Sequence, residues 1–368
     1  MRYRGVDLPA RLPPSLLGIV INIGGTPDDG YIGGKYWQDP GAFSNGFKGL
    51  CSVFVTAAFA FAGTELVGLA AAETANPRKS LPTAIKQVFW RITIFYVVAL
   101  TVVGLLVPYD NEKLPGAQSI ADAAASPFVI AIENAGIEVL PSVMNSVILV
   151  AVMSVGNSAV FGSSRTLAAL ADQGQAPKIL GYVDRRGRPL AAIGVAFLVG
   201  FIAYLADLEH QADVLGWLLA ASALSSIFTW GSICLAHIRF RQAWAAKGRS
   251  LDALAFRAHS GTFGSWLGLV FNLLVLVAQF WVGAWPVGFQ DADRASNVRS
   301  FFLDYMAVPV ILLFYLAHKL FYRTGFVRLE DMDLDTGRRD FNLTLLLAQE
   351  EEEKRAWPAW KKAYKFFC

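Results

Sequence analysis

One carboxylate of this sequence lies in the middle of an apolar segment. The segment, residues 59–68, reads Phe-Ala-Phe-Ala-Gly-Thr-Glu-Leu-Val-Gly, and its acidic residue is Glu65. A carboxylate at membrane depth is costly and usually faces a cavity or a partner. Gly63 and Gly68, with Thr64 between them, weaken helical structure at the same point. The pattern therefore predicts a helix that is broken around Glu65.

A helix broken inside a membrane has a definite chemistry. Its unpaired amides and carbonyls are tolerated only where they line a cavity. Amides suit a carboxylate and carbonyls suit an ammonium group, so such a break matches an amino-acid zwitterion. Phe59 and Phe61 could cover the site, because an aromatic face complements an apolar side chain or a cation.

The same residues have a structural interpretation, which stays open here. Small residues let two helices pack closely, and Glu65 would then hydrogen-bond to a neighbouring helix. We favour the binding site, because intramembrane carboxylates more often serve function.

A row of hydroxyl groups marks a later apolar segment, residues 217–230. Ser222, Ser225, Ser226 and Thr229 recur at the spacing of one helix face. Hydroxyls in this pattern more often join helices than bind substrate. A direct substrate role for Ser222 or Ser225 is therefore the less favoured interpretation.

Signals of enzyme chemistry are weak in this sequence. The four histidines do not form a paired His-x-x-x-His motif, and the Gly-Gly-Lys at residues 33–35 is followed by Tyr36, which does not fit a phosphate-binding loop. The three cysteines, Cys51, Cys234 and Cys368, have no metal or redox spacing. We predict a protein that is not an enzyme and needs no cofactor or metal.

Composition places these motifs in a membrane. The 368 residues are 55% hydrophobic and 17% charged, against about 25% charged in soluble domains. A net charge of +3 is too small to indicate a nucleic-acid partner. The apolar segments are continuous rather than alternating, which excludes a transmembrane barrel. The predicted class is an all-α integral membrane protein, with the lipid bilayer as its surroundings.

Seven segments are long enough to cross a bilayer, which takes about 20 apolar residues. An eighth apolar run, Leu16–Ile23, is too short and is interpreted as part of a further helix. The seven predicted spans are 48–72, 88–108, 139–161, 190–206, 214–236, 264–285 and 302–322.

Charge predicts the orientation of these spans. Every second loop is basic and the others are acidic or mixed, so the C-terminus is expected in the cytosol.

The predicted domains are a membrane domain over residues 1–325 and a cytosolic tail over 326–368. The tail carries an acidic run, Glu350–Glu353, before a basic and aromatic end. We interpret it as a solvated face and an interfacial segment, ahead of a motif for cytosolic trafficking factors.

The sequence resembles the fungal amino-acid permeases of the amino acid–polyamine–organocation superfamily. The resemblance runs from about Leu16 to the last residue. It is carried by Gly33–Phe43, Phe47–Phe59, Glu73–Pro82, Ser154–Ala159, Asp184–Pro189, Phe228–Arg241, Asp333–Arg339 and the closing Phe367–Cys368.

This resemblance implies the LeuT-like fold of twelve helices, a five-plus-five inverted repeat plus two, that moves amino acids inward with protons across the plasma membrane. The first complete span would be the sixth helix of that fold. The family pattern Phe-x-Phe-x-Gly-x-Glu then falls on Phe59, Phe61, Gly63 and Glu65, with Ala62 and Thr64 contributing backbone. Glu65 is the expected gating or proton-coupling residue. Cys368 would be a palmitoylation site or an unmodified terminal thiol.

Seven spans and a partial one are fewer than the twelve helices of that fold. We expect the chain to correspond to the C-terminal part of a permease, without the first four helices and most of the fifth. Two functions stay open: proton-coupled amino-acid uptake, and a truncated or receptor-like membrane protein that does not transport.

Overall fold

A computed structural model describes residues 14–25, 30–70, 77–112, 114, 126–136, 140–207, 211–254, 257–258, 260–286, 289, 293–336 and 357–358. Every regular element in these residues is helical. The α-helices are α1 (Pro14–Asn22), α2 (Gly46–Ser52), α3 (Phe54–Ala60), α4 (Leu66–Ala70), α5 (Pro77–Leu106), α6 (Pro127–Asn134), α7 (Leu140–Asp172), α8 (Leu190–Gly200), α9 (Gln211–Ala246), α10 (Gly261–Ala284), α11 (Arg294–Tyr305) and α12 (Ala307–Tyr322). A π-helical turn at Trp37–Gly41 and 3-10 turns at Lys178–Gly181, Phe201–Asp207 and Leu251–Ala253 complete the described elements.

Four helices are long and apolar enough to cross a membrane, namely Ser80–Leu106, Leu140–Asp172, Gly216–Ala246 and Gly261–Ala284. The pair α11 and α12 is bent by 53° and makes a fifth span if it is counted as one. The predicted class of all-helical membrane protein is therefore confirmed. The count of seven spans and the inverted repeat stay predictions.

The remaining predicted spans coincide with helices that are shorter or interrupted. Span 48–72 is divided among α2, α3 and α4, and the shorter apolar helix Gly46–Ala58 overlaps its first part. Span 190–206 begins as α8 and changes to a 3-10 turn at Phe201. The predicted start of the last span, residue 302, lies before the bend, and the apolar α12 follows it.

Apolar side chains cover the outside of the long helices. On α7, Leu149, Val150, Met153 and Val155 are each more than 60% exposed. A soluble helix buries such residues against a core. Because a lipid-facing helix is solvated by hydrocarbon, this surface agrees with the membrane class.

The chain divides into two units, each with its own core. The first unit comprises residues 1–44 and 89–215. Its core joins Leu17 and Ile21 of α1 to Val102 and Leu106 of α5 and to Ile130 of α6. A Cβ atom at Gly18 would overlap Val102 Cγ1, so the absence of a side chain there lets α1 lie against α5.

The second unit comprises residues 45–88 and 216–368. Its core is built from Val55 of α3, Ala223, Leu224 and Ile227 of α9, Val275 of α10 and Ala307 of α12. These contacts hold α3, the helix that leads into Glu65, against α9. The candidate site therefore lies within the second unit.

Candidate functional site

The predicted helix break is present. Helix α3 ends at Ala60, α4 begins at Leu66, and the intervening residues 61–65 form turns. Gly63 has φ +92°, a left-handed conformation that costs glycine little and other residues more. Gly63, which weakens the helical pattern in the sequence, is thus the residue at which φ changes from the negative values of a helix to a positive value.

Three backbone amides at the break already donate hydrogen bonds to acceptors within the chain. The amide of Thr64 donates to the carbonyl of Phe61 at 3.4 Å, and that of Leu66 donates to the carbonyl of Gly63 at 3.1 Å. The amide of Gly63 donates to both carboxylate oxygens of Glu65 at 3.2 Å. These three donors are partnered by the chain itself, so they are not free to receive a substrate carboxylate.

Glu65 is half-buried and receives two different donors. Besides the Gly63 amide, the indole Nε1–H of Trp230 donates to Glu65 Oε2 at 3.2 Å. The structural interpretation expected a hydrogen bond between Glu65 and a neighbouring helix, and Trp230 of α9 supplies it. Both donors are neutral N–H groups, so neither balances the negative charge of an ionised carboxylate.

Trp230 is the site residue that sequence reasoning missed. It follows the buried Ile227 of α9 by three positions, so both lie on the same helix face. Ile227 packs in the cluster that contains Val55 of α3, and the next turn of α9 thereby brings Trp230 to the break. The signal was present in the sequence, since a partly buried indole N–H usually finds an acceptor and Glu65 is a carboxylate at membrane depth.

The hydroxyl row of α9 does not join the contacts of Glu65. Ser222 and Ser225 are exposed. The Ser225 hydroxyl donates to the carbonyl of Ala221 at 2.7 Å, and Ser226 and Thr229 donate in the same way to the carbonyls of Ser222 and Ser225. The hydroxyls of Ser225, Ser226 and Thr229 therefore donate within their own helix, as serine and threonine commonly do in apolar helices.

The remaining predicted site residues lie in the turn, in α3 or outside the described residues. Phe61, Ala62 and Thr64 form the turn itself, with Phe61 37% exposed. Phe59 belongs to α3, and its side chain lies outside the described part of the structure. Cys368 and the acidic run of the tail also lie outside the described residues.

No candidate metal site is found in the part of the chain that the structure describes. The described residues contain no group of three His, Cys, Asp or Glu side chains that could hold an ion. Cys51 is buried and Cys234 is half-buried, and both are free thiols.

Apolar helices of membrane-spanning length, one of them preceded by a helix broken around a carboxylate, define a helical integral membrane protein. Comparison with known proteins narrows this class. The family model described as amino acid permease matches residues 15–330. The chain belongs to the amino acid permease family.

Several fungal permeases are similar to this chain. General amino-acid permease GAP2 of Candida albicans is 54% identical over 100% of this chain and 62% of its own length. General amino-acid permease GAP1 of Saccharomyces cerevisiae is 52% identical over 96% of the chain and 59% of its own length. The histidine permease of the same yeast is 51% identical over 90% of the chain and 55% of its own length. The chain thus spans about three fifths of the length of these relatives.

Proposed function

We propose that this chain serves amino-acid transport, as the C-terminal part of a permease that takes up amino acids together with protons across the plasma membrane. The observation that carries the proposal is Glu65, a carboxylate at a helix break whose described donors are both neutral. The family and the names of the similar fungal permeases support amino acids as the substrate class.

In this proposal Glu65 is the group that handles positive charge. A carboxylate can accept about four hydrogen bonds, and the Gly63 amide and the Trp230 indole use only part of that capacity. A proton or a substrate ammonium group would supply the missing positive charge. Glu65 would then couple substrate to proton or gate the site.

The residues around Glu65 would shape the substrate pocket. An amide N–H can donate only one good hydrogen bond, and the described amides at the break already donate theirs. A carbonyl oxygen has two lone pairs, so the carbonyls of Gly63 and Thr64 can accept from an ammonium group although they already accept from the amides of Leu66 and Val67. Together with the carbonyl of Ala62, they are the better candidates for contact with an ammonium group. Phe59 and Phe61 would cover the substrate. Ser222 and Ser225 would contribute only where the helix face that they occupy borders the same pocket.

The topology belongs to the same proposal. Residues 1–325 would form a membrane domain with seven spans and a partial one, in the LeuT-like arrangement. Residues 326–368 would be a cytosolic tail that can meet trafficking factors, with Cys368 as a candidate for palmitoylation.

The experiment is an uptake assay in fungal cells that lack their own general permeases. We would express the 368-residue chain, and also a chimera in which residues from Leu16 onward replace the matching part of S. cerevisiae GAP1. We expect the chimera to take up labelled amino acids, and Glu65→Gln in the chimera to lower uptake at least tenfold while surface abundance is unchanged. Competition by each of the twenty amino acids would define the substrate range.

Glu112→Gln is the matched control, because it removes the same charge from a residue outside the helices of the second unit. Wild-type uptake and wild-type pH dependence in Glu65→Gln would contradict the proposed site. An active chimera beside an inactive 368-residue chain would favour the non-transporting function for the chain alone.

A further inference from the structure

The segment after the last helix folds back onto another helix. Helix α12 ends at Tyr322, and Arg323 has φ +48°, a left-handed conformation that redirects the chain. Residues 324–336, here called the strap, then contact the C-terminal end of α9 and the residues that follow it. Both partners belong to the second unit.

Three basic residues in α9 or just after it hold the strap. Arg239 Nη2 donates to the carbonyl of Val327, and Lys247 Nζ donates to the carbonyl of Met332. The guanidinium of Arg249 donates to both carboxylate oxygens of Asp335 at 2.6 Å. The three contacts occur in the same order along residues 239–249 and along the strap, so the two segments run in the same direction and meet at three separate points.

Arg249 is prepared for this bidentate contact by its neighbours. Its guanidinium lies 5.1 Å from the ring centroid of Trp244. The Trp244 ring is almost fully buried, and its Nε1–H donates to the carbonyl of Ser250 at 3.0 Å. The Trp244 indole therefore restricts where the Arg249 guanidinium can lie. Two parallel hydrogen bonds to one carboxylate also require the guanidinium and the carboxylate to be nearly coplanar.

The other end of the strap is attached to α12. Lys319 Nζ donates to the carbonyl of Thr324 at 2.9 Å. The Phe326 ring lies 4.4 Å from the Arg239 guanidinium and 6.0 Å from Lys319 Nζ. One aromatic ring of the strap thus faces a cation from α9 and a cation from α12.

Asp333 organises the acidic end of the strap. Its Oδ1 accepts the amides of Asp335 and Thr336 at 2.9 and 3.0 Å, a turn that presents Asp335 towards Arg249. Hydrogen bonds from Thr336, followed by the one from Asp335, lower the pKa of Asp333 to about 2. The turn therefore keeps its charge through the pH range of a cell.

We propose that residues 324–336 are an electrostatic latch that ties the C-terminal ends of α9 and α12 together, with Arg239, Lys247 and Arg249 as its docking surface. The occupant of that surface is the chain's own strap, as its contacts show. The latch acts on α9, the helix that carries Trp230, but it does not depend on the proposed transport.

Hydrogen–deuterium exchange of the purified 368-residue chain tests the latch without any transport measurement. We expect Arg249→Asp and Asp335→Arg each to accelerate exchange at least fivefold in peptides covering 333–336, because the two like charges then repel. The double variant Arg249→Asp with Asp335→Arg restores the ion pair in reversed sense, and exchange should return to within twofold of wild type.

Arg186→Asp is the matched control, since it makes the same change of charge in the first unit and should leave the strap peptides unchanged. Peptides of α10 report whether each variant is folded, and Arg249→Gln gives a milder version with the same expected direction. Unchanged exchange in both Arg249 variants would overturn the latch, and so would a double variant no slower than the faster single one. Loss or retention of uptake does not affect this result.

Discussion

Two neutral N–H groups define the surroundings of Glu65 at the residue scale. The Gly63 amide belongs to the turn that contains Glu65, and the Trp230 indole comes from 165 residues away along the chain. If Glu65 has its proposed role, a substrate or proton that approached this carboxylate would meet a side chain whose orientation is already set. Orientation of this kind reduces the freedom that binding must otherwise remove.

Trp230→Phe tests that orientation, because phenylalanine keeps an aromatic ring and removes the donor. A hydrogen bond to a charged group contributes about 1.5–3 kcal/mol, so we expect amino-acid uptake by the chimera to fall at least about tenfold at subsaturating substrate. The measurement is initial uptake rate against substrate concentration, normalised to surface protein.

Trp217→Phe on the same helix is the control, since Trp217 is 38% exposed and lies more than three turns away. Equal uptake by Trp230→Phe and wild type would show that Trp230 does not position Glu65.

At the scale of the element, the interrupted helix is the main feature of the second unit. Val55 of α3 and Ile227 of α9 belong to the same core cluster, and the chain turns after α3 before α4 begins. The break needs a residue that tolerates a positive φ, and Gly63 supplies it with φ +92°. The packing of α3 holds one side of the break in place while the turn changes the direction of the chain.

Gly63→Ala is expected to destabilise the protein through backbone conformation alone. A Cβ atom there would meet Leu66 Cδ1 at 3.7 Å, an ordinary contact, so crowding is not the cause. A non-glycine residue in a sparsely populated backbone region costs about 1–3 kcal/mol. Thermal unfolding of the purified chain should show a lower midpoint.

Gly68→Ala is the matched control, because Gly68 lies in α4 with open space around it and without a positive φ. Alanine there favours helix, so its midpoint should be equal or higher. A midpoint for Gly63→Ala at or above that of wild type would contradict the requirement for glycine.

At the scale of the whole molecule, carboxylates on turns make local structure depend on pH. The pKa of Asp184 is lowered by hydrogen bonds from Arg188, first from its side chain and then from its amide, and Asp333 has a pKa of about 2. A carboxyl group with a lowered pKa stabilises the folded state above its ordinary pKa of about 3.8 and loses this contribution as pH falls through the lowered value. Both turns should therefore be intact at neutral pH.

Asp333→Asn removes the charge at every pH and tests whether the charged form of Asp333 stabilises its turn. At pH 7 we expect faster deuterium exchange in the strap peptides of the variant than of wild type, after correction for intrinsic rates. The difference should persist down to about pH 4 and shrink towards pH 2, where wild-type Asp333 is protonated as well. Asp331→Asn, a change of the same type in the same strap, should match wild type at each pH; an Asp333→Asn difference that grew below pH 4 would contradict the assignment.

Much of the architecture could be predicted from residue pattern because membrane helices are determined locally. Every backbone donor in hydrocarbon must be satisfied within its own helix, so long apolar runs indicate helices such as α7 and α10 without reference to neighbours. The break at Gly63 was predictable for the same local reason, since glycine and threonine weaken helix wherever they occur.

Contacts between distant parts of the chain were decided only by the tertiary structure. The pairing of Trp230 with Glu65 depends on the core cluster that contains both Ile227 of α9 and Val55 of α3. The strap depends on the direction that the chain takes after Arg323. The residue pattern shows that an indole and a carboxylate each need a partner, whereas helix packing selects which partner each one meets. The sequence by itself therefore determined the membrane class and the position of the break, and tertiary packing decided what surrounds the charge there, because hydrogen bonds between helices depend on geometry that no local pattern contains.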